Sequence, residues 1–248
     1  MAMIQVNNTT RRYGTLTAVD DVSFEVNRNE IVGFVGPNGA GKSTMLKMLS
    51  TFLLPNEGSI KIDGIDAKQN PLEIRRRIGY LSGDTPLYEE MRVDSFLRFI
   101  GQARNLHGDI LKEGFDRVIE LCGLQDVVYQ RVNECSTGFR QRIGLATALI
   151  HDPPILLLDE PTHGFDPMQV LAFRDMLRSL RTDRAILFST HIIADVEAIS
   201  DRVLIIHQGK ILGDGSVNEL AKQNGIPESG LEQIFAHLIK NHALSHKL

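Results

Sequence analysis

Gly36-Pro37-Asn38-Gly39-Ala40-Gly41-Lys42-Ser43-Thr44 is the stretch that decides the fold of this chain. It fits the phosphate-cradling pattern G-x-x-x-x-G-K-[S/T], and its surroundings are the ones that pattern needs. Ile31-Val32-Gly33-Phe34-Val35 before it reads as a buried strand, and Thr44 to Leu49 after it reads as a helix with apolar Met45, Leu46, Met48 and Leu49. Glycines let backbone N–H groups close around phosphate oxygens without a Cβ in the way. A helix N-terminus adds unpaired N–H groups and the positive end of a dipole. From such a loop Lys42 is expected to reach the β- and γ-phosphates of a nucleotide, and the Ser43 hydroxyl to ligate Mg²⁺.

Two further groups converge on the same sheet edge. Ile155-Leu156-Leu157-Leu158 is too short and too sharply bounded for a helix, so it reads as a central parallel strand ending in Asp159-Glu160. Successive strand side chains point to opposite faces, so the two carboxylates need not share one job. One suits a hydrated Mg²⁺, and its neighbour suits orienting or deprotonating a water. Ala185 to Ser189 is another buried strand, running into Thr190-His191. Ligands of open α/β sheets bind beyond the carboxyl ends of the strands. Gly36, Asp159, Glu160 and His191 are all expected just past such ends.

With these motifs in place the chain resembles the nucleotide-binding subunit of an ABC transporter, over nearly its whole length. Gly36 to Thr44 matches that family's Walker A motif, Ile155 to Asp159 its Walker B motif, and Glu160 its catalytic glutamate. Pro161 to Asp166 resembles the D-loop and His191 the switch histidine. Tyr13, in Arg12-Tyr13-Gly14, matches the aromatic that stacks on adenine. Ser136-Thr137-Gly138-Phe139-Arg140-Gln141-Arg142 resembles the signature segment. Ser136 is expected to cap a helix beginning near Thr137. In the family that helix N-terminus faces the γ-phosphate of ATP held by a partner subunit. The resemblance therefore implies ATP and Mg²⁺ as ligands and a head-to-tail homodimer. It also implies a separate membrane permease as partner and a peripheral place on the cytoplasmic face of the cell membrane.

Two positions depart from the family pattern. The signature normally reads Leu-Ser-Gly-Gly-Gln, whereas this chain has Cys135-Ser136-Thr137-Gly138-Phe139. Ser136 and Gly138, which match the two residues that touch phosphate, remain. The S-x-G-x-R-Q-R string is similar to cassettes of ABC-2-type exporters, so export is the expected direction. At the Q-loop, Gly83 stands where glutamine is usual in Ile78-Gly79-Tyr80-Leu81-Ser82-Gly83-Asp84. Asp84 either supplies an oxygen one residue later or simply belongs to a Gly-Asp-Thr-Pro turn. The Gly-Asp-Thr-x-Leu-Tyr string resembles cassettes of the sodium-extrusion branch.

The chain's 248 residues, 42% hydrophobic and 23% charged, fit one large α/β domain or two small ones. No apolar stretch approaches the ~20 residues of a membrane span, and the N-terminus lacks the regions of a signal peptide. A net charge of −4 with scattered Lys and Arg argues against an extended nucleic-acid surface. Arg75-Arg76-Arg77 reads as a solvated helix end. Cys122 and Cys135 have no metal or redox spacing and read as packing residues, as do Met45, Met48 and Met91.

The expected fold is α/β: a P-loop NTPase (RecA-like) core with a mainly parallel sheet, an antiparallel β layer and an inserted helical subdomain. Ile4-Val6, Val22-Phe24-Val26 and Ile60-Ile62 alternate as strands of the antiparallel layer, with Asp63-Gly64 as a turn. Val93, Phe96, Leu97, Ile100, then Leu111, Phe115, Val118, Ile119 and Cys122 follow helical spacing. Two short strands, Val203 to His207 and Lys210 to Leu212, precede terminal helices, the last starting near Ser229 to Glu232. The expected division is a core of 1–84 and 152–215, helices over 85–151, and C-terminal helices over 216–248. Two other classes compete with a transporter subunit. A soluble ABC-type ATPase of ribosomes or DNA usually has paired cassettes or long insertions, and this chain has one cassette. A small-metabolite kinase leaves His191 and the signature segment without a role.

Overall fold

A computed structural model of the chain describes residues 2–83, 85–227 and 229–245, with side chains to residue 242. Asp84, one of the two candidates at the Q-loop, lies outside the described residues. Alternating sequence at the N-terminus gives two long antiparallel strands, β1 (Ala2–Tyr13) and β2 (Leu16–Asn27), joined by a tight turn at Gly14. The apolar run before the glycine loop is β3 (Glu30–Val35), and the helix after it is α1 (Lys42–Leu49). That helix starts two residues earlier than the apolar pattern suggests, so Lys42 and Ser43 belong to its first turn.

Next come β4 (Glu57–Ile62), β5 (Ile65–Asp66), α2 (Pro71–Arg77) and β6 (Ile78–Leu81). Three helices then fill the connection to the next strand: α3 (Val93–Ala103), α4 (Gly108–Leu121) and α5 (Thr137–Leu149). After them the chain alternates through β7 (Ile155–Asp159), α6 (Pro167–Ser179), β8 (Ala185–Thr190) and α7 (Ile193–Ile199). It closes with β9 (Arg202–His207), β10 (Lys210–Gly215), α8 (Val217–Gln223) and α9 (Leu231–Ser245).

The strands form two sheets. The smaller is antiparallel, in the order β2-β1-β4-β5, and the larger runs β10-β9-β3-β8-β7-β6. In the larger sheet every pairing is parallel except that of β10 with β9. Parallel strands need covering on both faces, which explains why β7 and β8 are buried along their whole length. Between the sheets, Ile4, Val6, Phe24 and Phe34 pack with Met45 and Leu46 of α1. On the other face, Leu156, Leu158, Ile186 and Phe188 pack with Phe96, Phe115, Ile143 and Val196. Each such side chain stabilises the fold by roughly 1.5–3 kcal/mol, so the sheet edge they support is rigid.

Register places the site. Val35 pairs with Thr190, and Asp159 pairs with Ser189, so β3, β8 and β7 end side by side. Asp159 is itself the last residue of β7 rather than just beyond it. The basic run in α2 is not simply solvated. Arg75 donates to Thr51 through Nε and Nη2, Arg77 pairs with Asp63 and Glu73, and the exposed Arg76 lies 3.5 Å from Glu73. Cys122 and Cys135 are buried and unpaired with each other, and burial pushes the Cys122 thiol up to about 12.

Candidate functional site

The glycine loop bends because two of its residues adopt backbone angles that suit glycine. Gly41, the N-cap of α1, has φ 111°, and a Cβ there would lie 2.3 Å from the carbonyl oxygen of Ala18. Gly39 has φ 78° and faces open space. No side chain caps α1, and its first turn holds no acidic residue. The helix N-terminus is left for an anion from outside. Tyr13, Leu16, Ala18, residues 38–44 and Glu160 bound a cavity of about 330 Å³ over this turn. Lys42 Nζ donates to Gly36 O at 2.7 Å and to Pro37 O at 3.2 Å. Its side chain is 7% exposed, and burial lowers the ammonium pKa against the opposing pull of Glu160 and Asp159. A desolvated cation anchored by carbonyls beside an uncapped helix end fits a polyphosphate.

Facing the loop, Glu160 follows β7 in the left-handed region, at φ 49°. A non-glycine residue held there stores backbone strain. The strand alternation that reads Asp159 and Glu160 as opposite-facing therefore stops at Asp159, and the bend turns Glu160 back toward Lys42. Glu160 Oε1 lies 3.8 Å from Lys42 Nζ. His191 Nδ1 lies 2.9 Å from Glu160 Oε2. A carboxylate only accepts, so Nδ1 carries the proton in this contact. Asp159 is buried, with Oδ1 accepting from Ser189 Oγ at 2.5 Å. Lys42, Asp159, Glu160 and His191 are thus brought together. A Cβ added at Gly83 would sit 3.8 Å from Asp159 Oδ2, so the Q-loop position faces this carboxylate and contributes no side chain.

Ser136 and Gly138 sit elsewhere. Ser136 is the N-cap of α5, its Oγ accepting from Phe139 N at 3.3 Å. Its side chain is exposed, and neither it nor Gly138 lines the cavity over the glycine loop. Tyr13 is 43% exposed at the hairpin end of β1, with the Arg11 guanidinium 4.9 Å from its ring centre. It lines the cavity as a partly exposed aromatic ring. Asn38 and Ser43 are exposed there, Thr44 is half-buried, and Ala40 is buried beneath them.

The sequence model of the ABC transporter family matches residues 19–163, more than half of the chain. The chain belongs to the ABC transporter family. It is an ATP-binding subunit of such a transporter, and an ATPase. It is 38% identical over 224 residues to the ABC transporter ATP-binding protein NatA of Bacillus subtilis (strain 168), covering 88% of this chain and 91% of that one. Among solved structures, an ATP-binding subunit of an ABC transporter aligns with TM-score 0.89 at 28% identity, over 96% of this chain and 99% of that one. The dimeric bacterial ABC transporter cassette MJ0796 shares the fold, with TM-score 0.79 at 24% identity over 86% of this chain and 98% of that one.

Asp195 and Arg174 lie outside the motifs read from the sequence of this ABC cassette. Thr162, in the D-loop segment, donates from Oγ1 to Asp195 Oδ2 at 2.9 Å, and Arg174 Nη2 donates to Asp195 Oδ1 at 2.8 Å. The Asp195 side chain is 4% exposed, so one buried carboxylate on α7 ties α6 to the loop after Glu160. The only sequence signal is two acids, Asp195 and Glu197, among the apolar residues of Ile193–Ile199, of which the structure buries the first. Removing one partner of a buried pair leaves the other charge uncompensated. We expect Asp195→Ala to destabilise the cassette by about 3–5 kcal/mol, read as a lowered urea midpoint. A midpoint unchanged from wild type would show that the network is not structural support.

Proposed function

We propose that this ATPase works as a head-to-tail pair. Each ATP is bound by the glycine loop of one subunit and closed over by the N-terminus of α5 from the other. The observation that carries this reading is the split site. Tyr13, residues 38–44 and Glu160 line one cavity, with His191 bonded to Glu160 and Asp159 close enough to act on Lys42, while Ser136 and Gly138 at the capped α5 terminus take no part in that lining. The dimeric state of MJ0796, which has the same fold, supports it.

In this reading Tyr13 stacks on the base, and the backbone of residues 36–44 cradles the phosphates. Lys42 leaves its carbonyl partners for the β- and γ-oxygens. The Ser43 hydroxyl and the Asp159 carboxylate are hard oxygen donors at the phosphate end. They suit Mg²⁺, which takes one or two protein oxygens and completes its shell with phosphate and water. When bound, Mg²⁺ neutralises phosphate charge. Glu160 accepts a proton from the water that attacks the γ-phosphorus, the bond to the β,γ-bridging oxygen breaks, and ADP leaves with that oxygen. His191 holds the Glu160 carboxylate in place through Nδ1–H. Ser136 and Gly138 of the opposite subunit add donors to the γ-phosphate. Hydrolysis then loosens the pair.

The pair drives a separate membrane permease, with export the direction that the S-x-G-x-R-Q-R string favours. Among the described residues no helix is long and apolar enough to cross a membrane. A groove of about 1140 Å³ between α2 and the α3–α4 corner supports a docked partner. Phe52 (72% exposed) and Leu72 (69% exposed) give it protruding apolar side chains, and Arg75, Arg76 and Arg104 give it basic ones. The cassette would thus sit at the cytoplasmic face of the membrane, held by that subunit. The core of 1–84 and 152–215, the helices of 85–151 and the C-terminal helices of 216–248 would be its working parts. The test is ATP turnover per subunit across protein concentration. It falls on dilution when the site is shared between subunits, and a constant value would reject the pair.

A further inference from the structure

Gln141 lies five residues into the chain from the Ser136 cap, on the same helix, about 7.5 Å further along its axis at 1.5 Å per residue. Its Nε2 donates to two successive carbonyls, Glu160 O and Pro161 O, each at 3.2 Å. Both amide hydrogens are thereby committed to the loop that carries the base. No other side chain within α5 touches that loop by hydrogen bond among the described residues. This link reaches the point of strain. Glu160 sits at φ 49°, and its own N–H is pinned by Ser189 O at 3.0 Å. On the other side of the residue, Glu160 O accepts from His163 N at 3.1 Å as well as from Gln141. The backbone on the β8 side is held by the sheet. The backbone on the far side, which sets where the carboxylate points, is held partly from α5.

We propose that Gln141 is a positioning residue that couples the two ATP sites of the pair, because one helix meets the partner's γ-phosphate at Ser136 and its own catalytic loop at Gln141. This rests on the head-to-tail reading above. Binding at one site moves or stiffens α5, and Gln141 passes that change to the peptide that aims Glu160 at the other. The strained conformation makes Glu160 sensitive to the loss of a support that an unstrained residue would not need. Gln141 touches neither ATP nor water. Its loss should act on the catalytic step and on cooperativity, and leave nucleotide affinity alone.

The experiment compares wild type, Gln141→Leu, which keeps the side chain's size without donors, and Gln141→Glu, which keeps its shape and reverses the hydrogen-bond polarity. We expect Gln141→Leu to bind ATP within about twofold of wild type and to lose about tenfold in kcat, with the Hill coefficient for ATP falling to one. For Gln141→Glu, the rate relative to wild type should recover as the pH is lowered and its carboxyl gains a donor proton, while Gln141→Leu shows no recovery. Wild-type-like kcat and Hill coefficient in Gln141→Leu would overturn the proposal. So would equal losses in kcat and affinity. Dilution separates the two ideas. Wild-type turnover that is independent of concentration overturns the pair, and the coupling with it. Turnover that falls on dilution, with Gln141→Leu unimpaired, overturns only the role of Gln141.

Discussion

Glu160→Gln keeps ATP bound while turnover falls by roughly 10²–10⁴-fold, the range a positioned general base supplies. The substitution preserves shape and removes only the charge and the ability to take a proton. Lys42 Nζ, 3.8 Å from Oε1, loses a counter-charge that ATP's phosphates replace more strongly. His191 Nδ1 keeps a hydrogen-bond partner in the amide oxygen, so the local geometry is retained. With the γ-phosphate intact, the proposed pair keeps the donors of the other subunit engaged. The variant should therefore sediment as a dimer in ATP and as a monomer in ADP. Single-turnover hydrolysis and sedimentation velocity together check both halves. Hydrolysis near the wild-type rate would remove Glu160 from the role of base.

Much of this site was legible in the chain itself. The strand, glycine loop and helix announce themselves because backbone geometry and burial act locally there. Apolar runs before Gly36, Asp159 and His191 report strands, and register then brings their ends together. Ser136 as a helix cap was equally readable, since capping is a short-range hydrogen bond. The reversed direction of Glu160 was not. Period-two alternation assumes extended backbone, and the positive φ at that residue breaks the assumption. Nor were the contacts of Gln141, Ser189 and Asp195 visible. Each reaches across 19 residues or more of sequence, between elements whose packing no periodicity encodes. The Arg75-Arg76-Arg77 run shows the same limit. Its bonds to Thr51 and Asp63 depend on the tertiary path of the chain.

Lys42 sets the second large effect, and with it the most direct test of the shared site. Its ammonium is desolvated and held by Gly36 O and Pro37 O, so Lys42→Ala removes a costly buried charge and should leave the fold intact by circular dichroism. Hydrogen bonds to charged groups contribute about 1.5–3 kcal/mol, so ATP binding should weaken at least about tenfold, with hydrolysis nearly abolished. Ser136→Arg should instead leave the glycine loop whole and block only the α5 terminus, which the proposed pair turns toward the partner. Each variant alone is then inactive for a different reason. When the two are mixed, a dimer with one chain of each kind has one complete site, built from the glycine loop of the Ser136→Arg chain and the intact Ser136 of the Lys42→Ala chain. Differently tagged variants, purified together through both tags, should hydrolyse ATP at a reduced but measurable rate that neither variant shows alone. No turnover in dimers shown to be mixed would contradict the account of an ATP site built from two subunits.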